Sequence, residues 1–254
     1  MTATQTVHAI VSQEEWLQAR CALLEQEKAY TRLRDELSRR RRELPWVKVE
    51  ENYVFDGPGG SVTLSDLFAS RTQLIVYHFM LGPDWAEGCP SCSMIADTIA
   101  GSVVHVANRD AAVVMVSRAP IEKIEAFRQR MGWDLPWVSS YGSRFNWDYH
   151  VSFSPEEVEK GEVYYNFGRM RFPKSEAPGV SVFIKDSYGN IFHTYSAYGR
   201  GLEGLLGAYD LLDMTPKGRD EEQFSFPMAW VRHHDRYPES AQAAGAGCHS
   251  TERS

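Results

Sequence analysis

The run Gln73–Leu81, QLIVYHFML, constrains the fold more than any other stretch. Its apolar residues are consecutive rather than alternate, which marks a central strand covered on both faces. Such a strand needs packed layers above and below it, and so points to an α/β architecture. It leads through Gly82-Pro83-Asp84-Trp85-Ala86-Glu87-Gly88 into Cys89-Pro90-Ser91-Cys92 and a helix. Ala111–Ser117 reads as a second buried strand, and Ile121–Met131 as a second helix after Pro120. Val180–Lys185 and Asn190–Tyr195 alternate like two strands around the turn Asp186-Ser187-Tyr188-Gly189. A last helix is predicted over Gly201–Leu212. The order is a βαβ unit followed by ββα, with the cysteine pair at the carboxyl end of the first central strand.

The flanks divide the chain into three parts. Residues 1–45 form an N-terminal helical arm. In it Trp16, Leu17, Leu23, Leu24, Leu33 and Leu37 recur at helical spacing over Gln13–Arg42. Ser12 and Glu15 can form a capping box, Pro45 ends the helix, and Cys21 is expected on its apolar stripe. Residues 46–237 form the α/β domain, opening with a strand over Val47–Phe55, a turn at Asp56–Gly60 and a short helix at Leu64–Phe68 begun by a Ser cap. An aromatic-rich insertion, Gly132–Pro178, is expected to line a pocket or fill the core. Residues 238–254 are small and polar, and are expected to be disordered.

The formal net charge of −7 in 254 residues argues against a nucleic-acid partner. The basic block Arg39–Arg42 reads as a solvated helix end. No apolar run reaches the length of a membrane span. The N-terminal MTATQTVHAIVSQEEW lacks a charged region followed by an apolar one, so no secretory signal and no membrane partner are expected, and the cytoplasm is the expected address. The four cysteines do not make a disulfide scaffold in a chain of this length.

A CxxC pair between a buried strand and a helix of a βαβ unit reads as a thioredoxin-like redox motif. At the helix start, free N–H groups and the positive end of the helix dipole favour the thiolate of Cys89. Pro90 suits the first helical turn because its missing N–H needs no partner there. Cys92, one turn on, can attack a mixed disulfide and resolve it. The predicted function is a thiol–disulfide oxidoreductase, or a thiol-based reductase, of a small-molecule or protein disulfide. Cys89 is the nucleophile and Cys92 the resolving thiol, and no cofactor is required. Trp85, Pro90, Trp137 and Pro178 are expected near the substrate. Zinc would need a second cysteine pair, and Cys21 and Cys248 stand alone.

Two other functions fit parts of this pattern. Copper could be held by Cys89 and Cys92 with Met80, Met94 or a histidine such as His78 or His193, a soft set suited to Cu(I). Copper-delivering thioredoxin-fold proteins, however, space their cysteines one residue wider. A peroxiredoxin-like peroxidase would place its cysteine in a Pro-Thr-x-x-Cys context, which is absent. Asp84 and Glu87 would oppose thiolate formation at Cys89 if near it, and are read as loop charges. His150 could reach the same face as His193. His233-His234-Asp235 reads as a surface cluster, and Cys248-His249 as incidental.

With these residues in place the chain resembles a bacterial thioredoxin-like family of unknown function, often labelled dithiol–disulfide oxidoreductases. The matching stretches span about Trp16 to Tyr237. They include Tyr77-His78-Phe79-Met80-Leu81-Gly82-Pro83, Gly88-Cys89-Pro90-Ser91-Cys92-Ser93, Val116-Ser117-Arg118-Ala119-Pro120, Pro136-Trp137-Val138-Ser139-Ser140, Phe145-Asn146-Trp147-Asp148-Tyr149 and Tyr195-Ser196-Ala197-Tyr198-Gly199-Arg200-Gly201. The resemblance implies a thioredoxin-like three-layer sandwich with a central mixed sheet. Thioredoxins place a cis-proline directly before the hairpin strand facing the dithiol; the candidate here is Pro178, with Gly179 between it and Val180. Homo-oligomerisation through the N-terminal helix is the expected assembly.

Overall fold

The computed structural model describes residues 8–238. Nearly all of the expected disordered tail, with Cys248-His249, lies outside the described residues. The chain divides after Pro45 into two compact units. The first is helix α1, Gln13–Arg42, begun by the expected capping box: the Ser12 side chain accepts from the Glu15 N–H, and the Glu15 carboxylate accepts from the Ser12 N–H. Acidic residues in its first turn and Arg39–Arg42 in its last complement the helix dipole. No helix among the described residues is long and apolar enough to cross a membrane.

The second unit is built on an eight-stranded sheet. In chain order its strands and main helices are β1 (Val47–Lys48), β2 (Val54–Gly57), β3 (Gly60–Thr63), β4 (Gln73–His78), α2 (Pro90–Ala107), β5 (Ala111–Ser117), α3 (Ile121–Arg130) and β6 (Trp137–Ser139). They continue with α4 (Phe145–Asp148), α5 (Pro155–Lys160), a separate hairpin of β7 (Val163–Tyr165) and β8 (Gly168–Met170), β9 (Gly179–Lys185), β10 (Ile191–Tyr198) and α6 (Gly207–Asp213). The sheet order is β1-β10-β9-β4-β5-β6-β2-β3. β4 runs parallel to β5 and antiparallel to β9, with Val76 opposite Val114 on one side and Ser181 on the other. This is the expected βαβ–ββα arrangement, a thioredoxin-like α/β fold with β4 in the middle.

Several elements depart from the expected pattern. The single strand expected over Val47–Phe55 is two short ones toward opposite ends of the sheet order: β1 is an edge strand paired with β10, whereas β2 lies between β6 and β3. The polar Glu50-Glu51-Asn52 interrupts the alternation and lets the chain cross between them. Leu64–Phe68 holds only a 3-10 turn over Asp66–Phe68, and Ser65 makes no cap. Instead the Asp66 carboxylate accepts from the Thr63 N–H at 2.8 Å and from its hydroxyl at 2.6 Å. The last helix is broken into a 3-10 segment, Gly199–Leu205, and α6. Glycines at 199, 201, 204 and 207 weaken a continuous helix there.

Side chains of β4 alternate between two cores. Ile75 and Tyr77 join Phe79, Ile95, Phe127 and Trp137 on the side of α2 and α3. Leu74 and Val76 join Phe55, Phe68, Phe145 and Phe183 on the other. Much of the aromatic insertion is core, although Tyr141, Tyr164 and Phe167 are exposed: Phe145 is fully buried and meets Tyr53, Phe55 and Tyr149 at 4.6–5.0 Å between ring centroids. Phe145→Ala removes the centre of that cluster and should cost about 3–5 kcal/mol. Urea unfolding followed by tryptophan fluorescence measures it, and a loss below about 1 kcal/mol would show that the cluster can collapse around the gap.

Candidate active site

The chain leaving β4 is pinned before it reaches the dithiol. The Cys89 N–H donates to the Met80 carbonyl at 3.1 Å, closing the loop between them. Lys123 of α3 donates to the carbonyls of Pro83 and Trp85. A Cβ on Gly88 would stand 2.6 Å from Phe79 and 2.9 Å from Phe127, so only glycine lets the backbone pass this close to the core. His233 is buried and holds the same point: its Nε2–H donates to the Gly88 carbonyl at 2.8 Å, while Arg130 donates to its Nδ1 at 3.0 Å. Since a guanidinium can only donate, Nδ1 is the acceptor and the proton sits on Nε2. This corrects the expected surface cluster at His233-His234-Asp235 for His233 alone, since His234 and Asp235 are exposed. Asp235 pairs with Arg130, and His234 meets Asp97 at 2.7 Å.

Cys89 caps α2 in extended conformation, with Pro90 at the first helical position. Cys89 is half-buried, whereas Cys92 is 2% exposed. The Cys92 thiol hydrogen-bonds to Cys89, and with the N–H groups of Cys92 and Ser91 it draws the Cys89 thiol down to about 6 against the opposing effect of burial. Burial pushes the Cys92 thiol well up, and the charge on Cys89 adds to that. Tyr77 stands beside the pair. Its hydroxyl is fully buried without a hydrogen-bond partner among the described residues, and its nearness to Cys92 works against the effect of burial on that thiol. Glu87 does not act on the dithiol as a free acid, because Arg130 and Arg236 take up its carboxylate at 3.0 and 2.8 Å.

Above the thiols lies a cavity of about 520 Å³. Met80, Cys89, Cys92 and Pro178 form one side, and Leu206 and Met228 lie among its apolar walls. Its cover comes from residues 199–228. The Glu221 carboxylate ties this cover together, accepting from the Tyr209 hydroxyl, the Met228 N–H at 2.8 Å and the Trp230 Nε1–H at 2.6 Å. The Arg219 guanidinium lies 4.0 Å from the Tyr209 ring centroid and pairs with Asp213. Strand β9 begins at Gly179, so Pro178 stands directly before it, and its carbonyl accepts from the Tyr165 hydroxyl at 2.6 Å. Two residues upstream, the buried Glu176 accepts from Ser152 at 2.6 Å and pairs with Arg118 at 3.2 Å. Burial raises its carboxyl to about 7.

Of the residues expected at the site, Pro90 stands between the thiols at the start of α2 but outside the cavity lining, while Cys89, Cys92, Met80 and Pro178 come together here. Trp137 does not: it is 1% exposed, its ring lies 4.6 Å from Phe79 and its Nε1–H donates to Ser117. Trp85 is also outside the cavity lining, half-buried with Lys174 over its ring. The histidines proposed for copper are on the wrong face. His78 stacks on Phe145 and Tyr149, and His193 packs on Tyr149 and Phe183, all in the core opposite the dithiol. A strand flips its side chains at every residue, so Tyr77 rather than His78 reaches the thiols. Of the expected soft ligands the two thiols and Met80 line the cavity, while Met94 is buried in the same core outside that lining, and no group of three His, Cys, Asp or Glu among the described residues could hold a metal ion. Tyr77 was legible in that alternation. Glu221 and His233 carry no local signal, because their partners are distant in sequence.

Three solved structures illustrate what the chain is similar to. A Mycobacterium tuberculosis peroxidoxin, BcpB, is 14% identical, with 65% of this chain and 94% of that chain covered at a TM-score of 0.44. A peroxiredoxin Q mutant of Xanthomonas campestris is 15% identical, with 62% and 90% covered at 0.42. A Xylella fastidiosa PrxQ mutant is 15% identical, with 65% and 95% covered at 0.42. At this level of superposition the fold rests on strand order and register, not on these likenesses. No curated protein matches the sequence. A family model described as "Bacterial protein of unknown function (DUF899)" matches residues 5–237, and the chain belongs to that family.

The Cys89 environment sets a pH profile. Alkylation of Cys89 by iodoacetamide should rise with a midpoint near pH 6. In a Cys92→Ala variant the midpoint should move up toward that of an ordinary thiol, because the main stabilising hydrogen bond is gone. Because the folded value lies below the unfolded one, the stability it contributes is present above the unfolded thiol's pKa and is lost as pH falls through about 6. Faster alkylation at Cys92 than at Cys89 would reverse the assignment.

Proposed function

We propose that this member of the DUF899 family is a thiol–disulfide oxidoreductase acting on small apolar substrates, with Cys89 as nucleophile and Cys92 as resolving thiol. One observation carries the reading: an acidified, half-buried Cys89 lies beside a buried, protonated Cys92 on the wall of a roofed apolar cavity. The Cys89 thiolate attacks one sulfur of a disulfide RS–SR′, forming Cys89–S–SR and releasing R′S⁻, which takes up a proton. Cys92 then loses its proton and attacks the Cys89 sulfur, expelling RS⁻ and closing the Cys89–Cys92 disulfide. Tyr77 is suited to hold negative charge on Cys92 at that moment, so it is a positioning residue for resolution. Two electrons have passed to the substrate, and an external thiol must supply two more to recharge the pair. A reducing compartment such as the cytoplasm meets that need.

The cover formed by residues 199–228 favours a small substrate over a folded protein, whose disulfide would have to displace it. A volume of about 520 Å³ falls in the range of small-molecule sites. Copper has less support, since neither expected histidine lines the cavity beside the thiols. For assembly we propose self-association through α1, where Trp16, Leu23, Tyr30 and Leu37 recur every seven residues and stand exposed.

In a dithiothreitol-recycled assay the protein should reduce bis(hydroxyethyl) disulfide and leave insulin untouched. Cys89→Ser should abolish turnover, and Cys92→Ser should accumulate the Cys89 mixed disulfide, detected as added mass. Equal activity on insulin would remove the small-substrate reading. Oxidation of Cys89 by cumene hydroperoxide much faster than by the disulfide would replace the oxidoreductase with a thiol peroxidase.

A further inference from the structure

A second cavity, of about 400 Å³, opens on the face of the sheet opposite the dithiol. Its walls include the rings of Tyr53, Tyr149, Tyr164, Phe167 and Tyr198, together with His193. The rings brace one another: Phe167 meets Tyr198 at 5.4 Å, Tyr149 meets His193 at 5.2 Å, and Tyr164 meets His150 at 4.6 Å between centroids. His150, Asn166 and Phe167 hold left-handed backbone at φ of 55°, 50° and 64°, a cost that brings Phe167 to the rim.

The polar groups of this cavity are mostly acceptors. Glu50, Glu51 and Asp148 line it against one lysine, Lys48, which pairs with Glu50 at 3.3 Å. Asp148 accepts from the Tyr53 hydroxyl at 2.9 Å and pairs with Arg144 at 3.2 Å. Among the described residues Glu51 has no cationic partner. The tyrosine hydroxyls of Tyr53 and Tyr198 are spent, the latter donating to the Tyr149 carbonyl at 3.0 Å.

His193 adds a further acceptor. Its Nε2 lies 3.0 Å from the Tyr195 carbonyl, which can only accept, so Nε2 carries the proton. The same nitrogen meets Ser196 at 2.8 Å, and Ser196 continues through Ser181 at 3.0 Å to the buried His78 at 2.9 Å. This chain fixes the tautomer and leaves His193 Nδ1 as a bare lone pair. Burial lowers the pKa of both histidines, His78 to about 3, so both are neutral at pH 7.

Aromatic faces, an unpaired carboxylate and a lone-pair nitrogen together select a ligand that is positively charged and donates hydrogen bonds or packs against rings. We infer that this second cavity is a binding site for a small organic ammonium ion. The negative faces of the rings hold the cation, and Glu51 neutralises it. No step of the dithiol reaction uses these residues, so the two sites are separable.

Calorimetric titration of the full chain with choline, phenethylammonium and putrescine tests the assignment. Each cation is compared with an uncharged analogue; for choline, a tert-butyl group replaces trimethylammonium. At least one cation should bind in the millimolar range or tighter, and its uncharged analogue about tenfold more weakly. Tyr164→Ala and Glu51→Gln alter exposed rim positions, and each should weaken that binding, whereas Cys89→Ser should leave it unchanged. Circular dichroism checks that the variants are folded. Equal binding of the uncharged analogue, no binding of any of the three cations, or indifference to both rim substitutions would overturn the site.

Discussion

Burial of β4 on both faces is the constraint on which the rest of the molecule depends. Its neighbours β5 and β9 hold it in register through parallel and antiparallel ladders. Every side chain along it is thereby committed to one of two cores. Ile75 and Tyr77 go to the side of α2, and Leu74, Val76 and His78 to the side of α4. The strand therefore separates two chemistries that are adjacent in sequence. Tyr77 meets the dithiol, while His78 anchors a hydrogen-bonded chain that ends at the other cavity. A slip of one residue would exchange them, and both sites would be lost together.

The unequal thiols follow from depth rather than from chemistry. Cys89 and Cys92 have the same intrinsic acidity, yet one sits at the helix terminus and the other a turn inside the core. Desolvation penalises charge on the deeper sulfur, and that sulfur's remaining proton supports charge on the outer one. The asymmetry needs the backbone before Cys89 to be held still. Besides the hydrogen bonds from Cys89 N–H and Lys123, it is held by the close approach of Gly88 to Phe79 and Phe127 and by the hydrogen bond from His233 to the Gly88 carbonyl. The hydrogen bond from His233 is supplied by the far end of the domain, so the placement of Cys89 depends on contacts distant in sequence.

Local signals survived where they are self-contained. The capping box of α1, the consecutive apolar residues of β4 and β5, the proline after Cys89 and the Asp186–Gly189 turn each rest on neighbours within a few residues. Failures occurred where a local preference met a tertiary demand. Val47–Phe55 alternates like one strand, but its polar middle crosses from one sheet edge toward the opposite end of the sheet order. Trp137 belongs to an aromatic-rich segment of a kind that often lines pockets, yet Ser117 offers its indole N–H a buried partner and the ring lies in the core.

The amino-acid sequence by itself determined that a two-faced central strand would deliver a CxxC pair to the start of a helix, because hydrophobic periodicity, capping and proline geometry act over one or two turns of chain. Only the tertiary structure decided which face each histidine joined, what roofed the thiols and how far apart their acidities were pushed. Those outcomes are set by burial and by hydrogen bonds between residues as distant as Gly88 and His233, 145 positions apart. Desolvation is a property of everything packed around a group, and no window of sequence contains it.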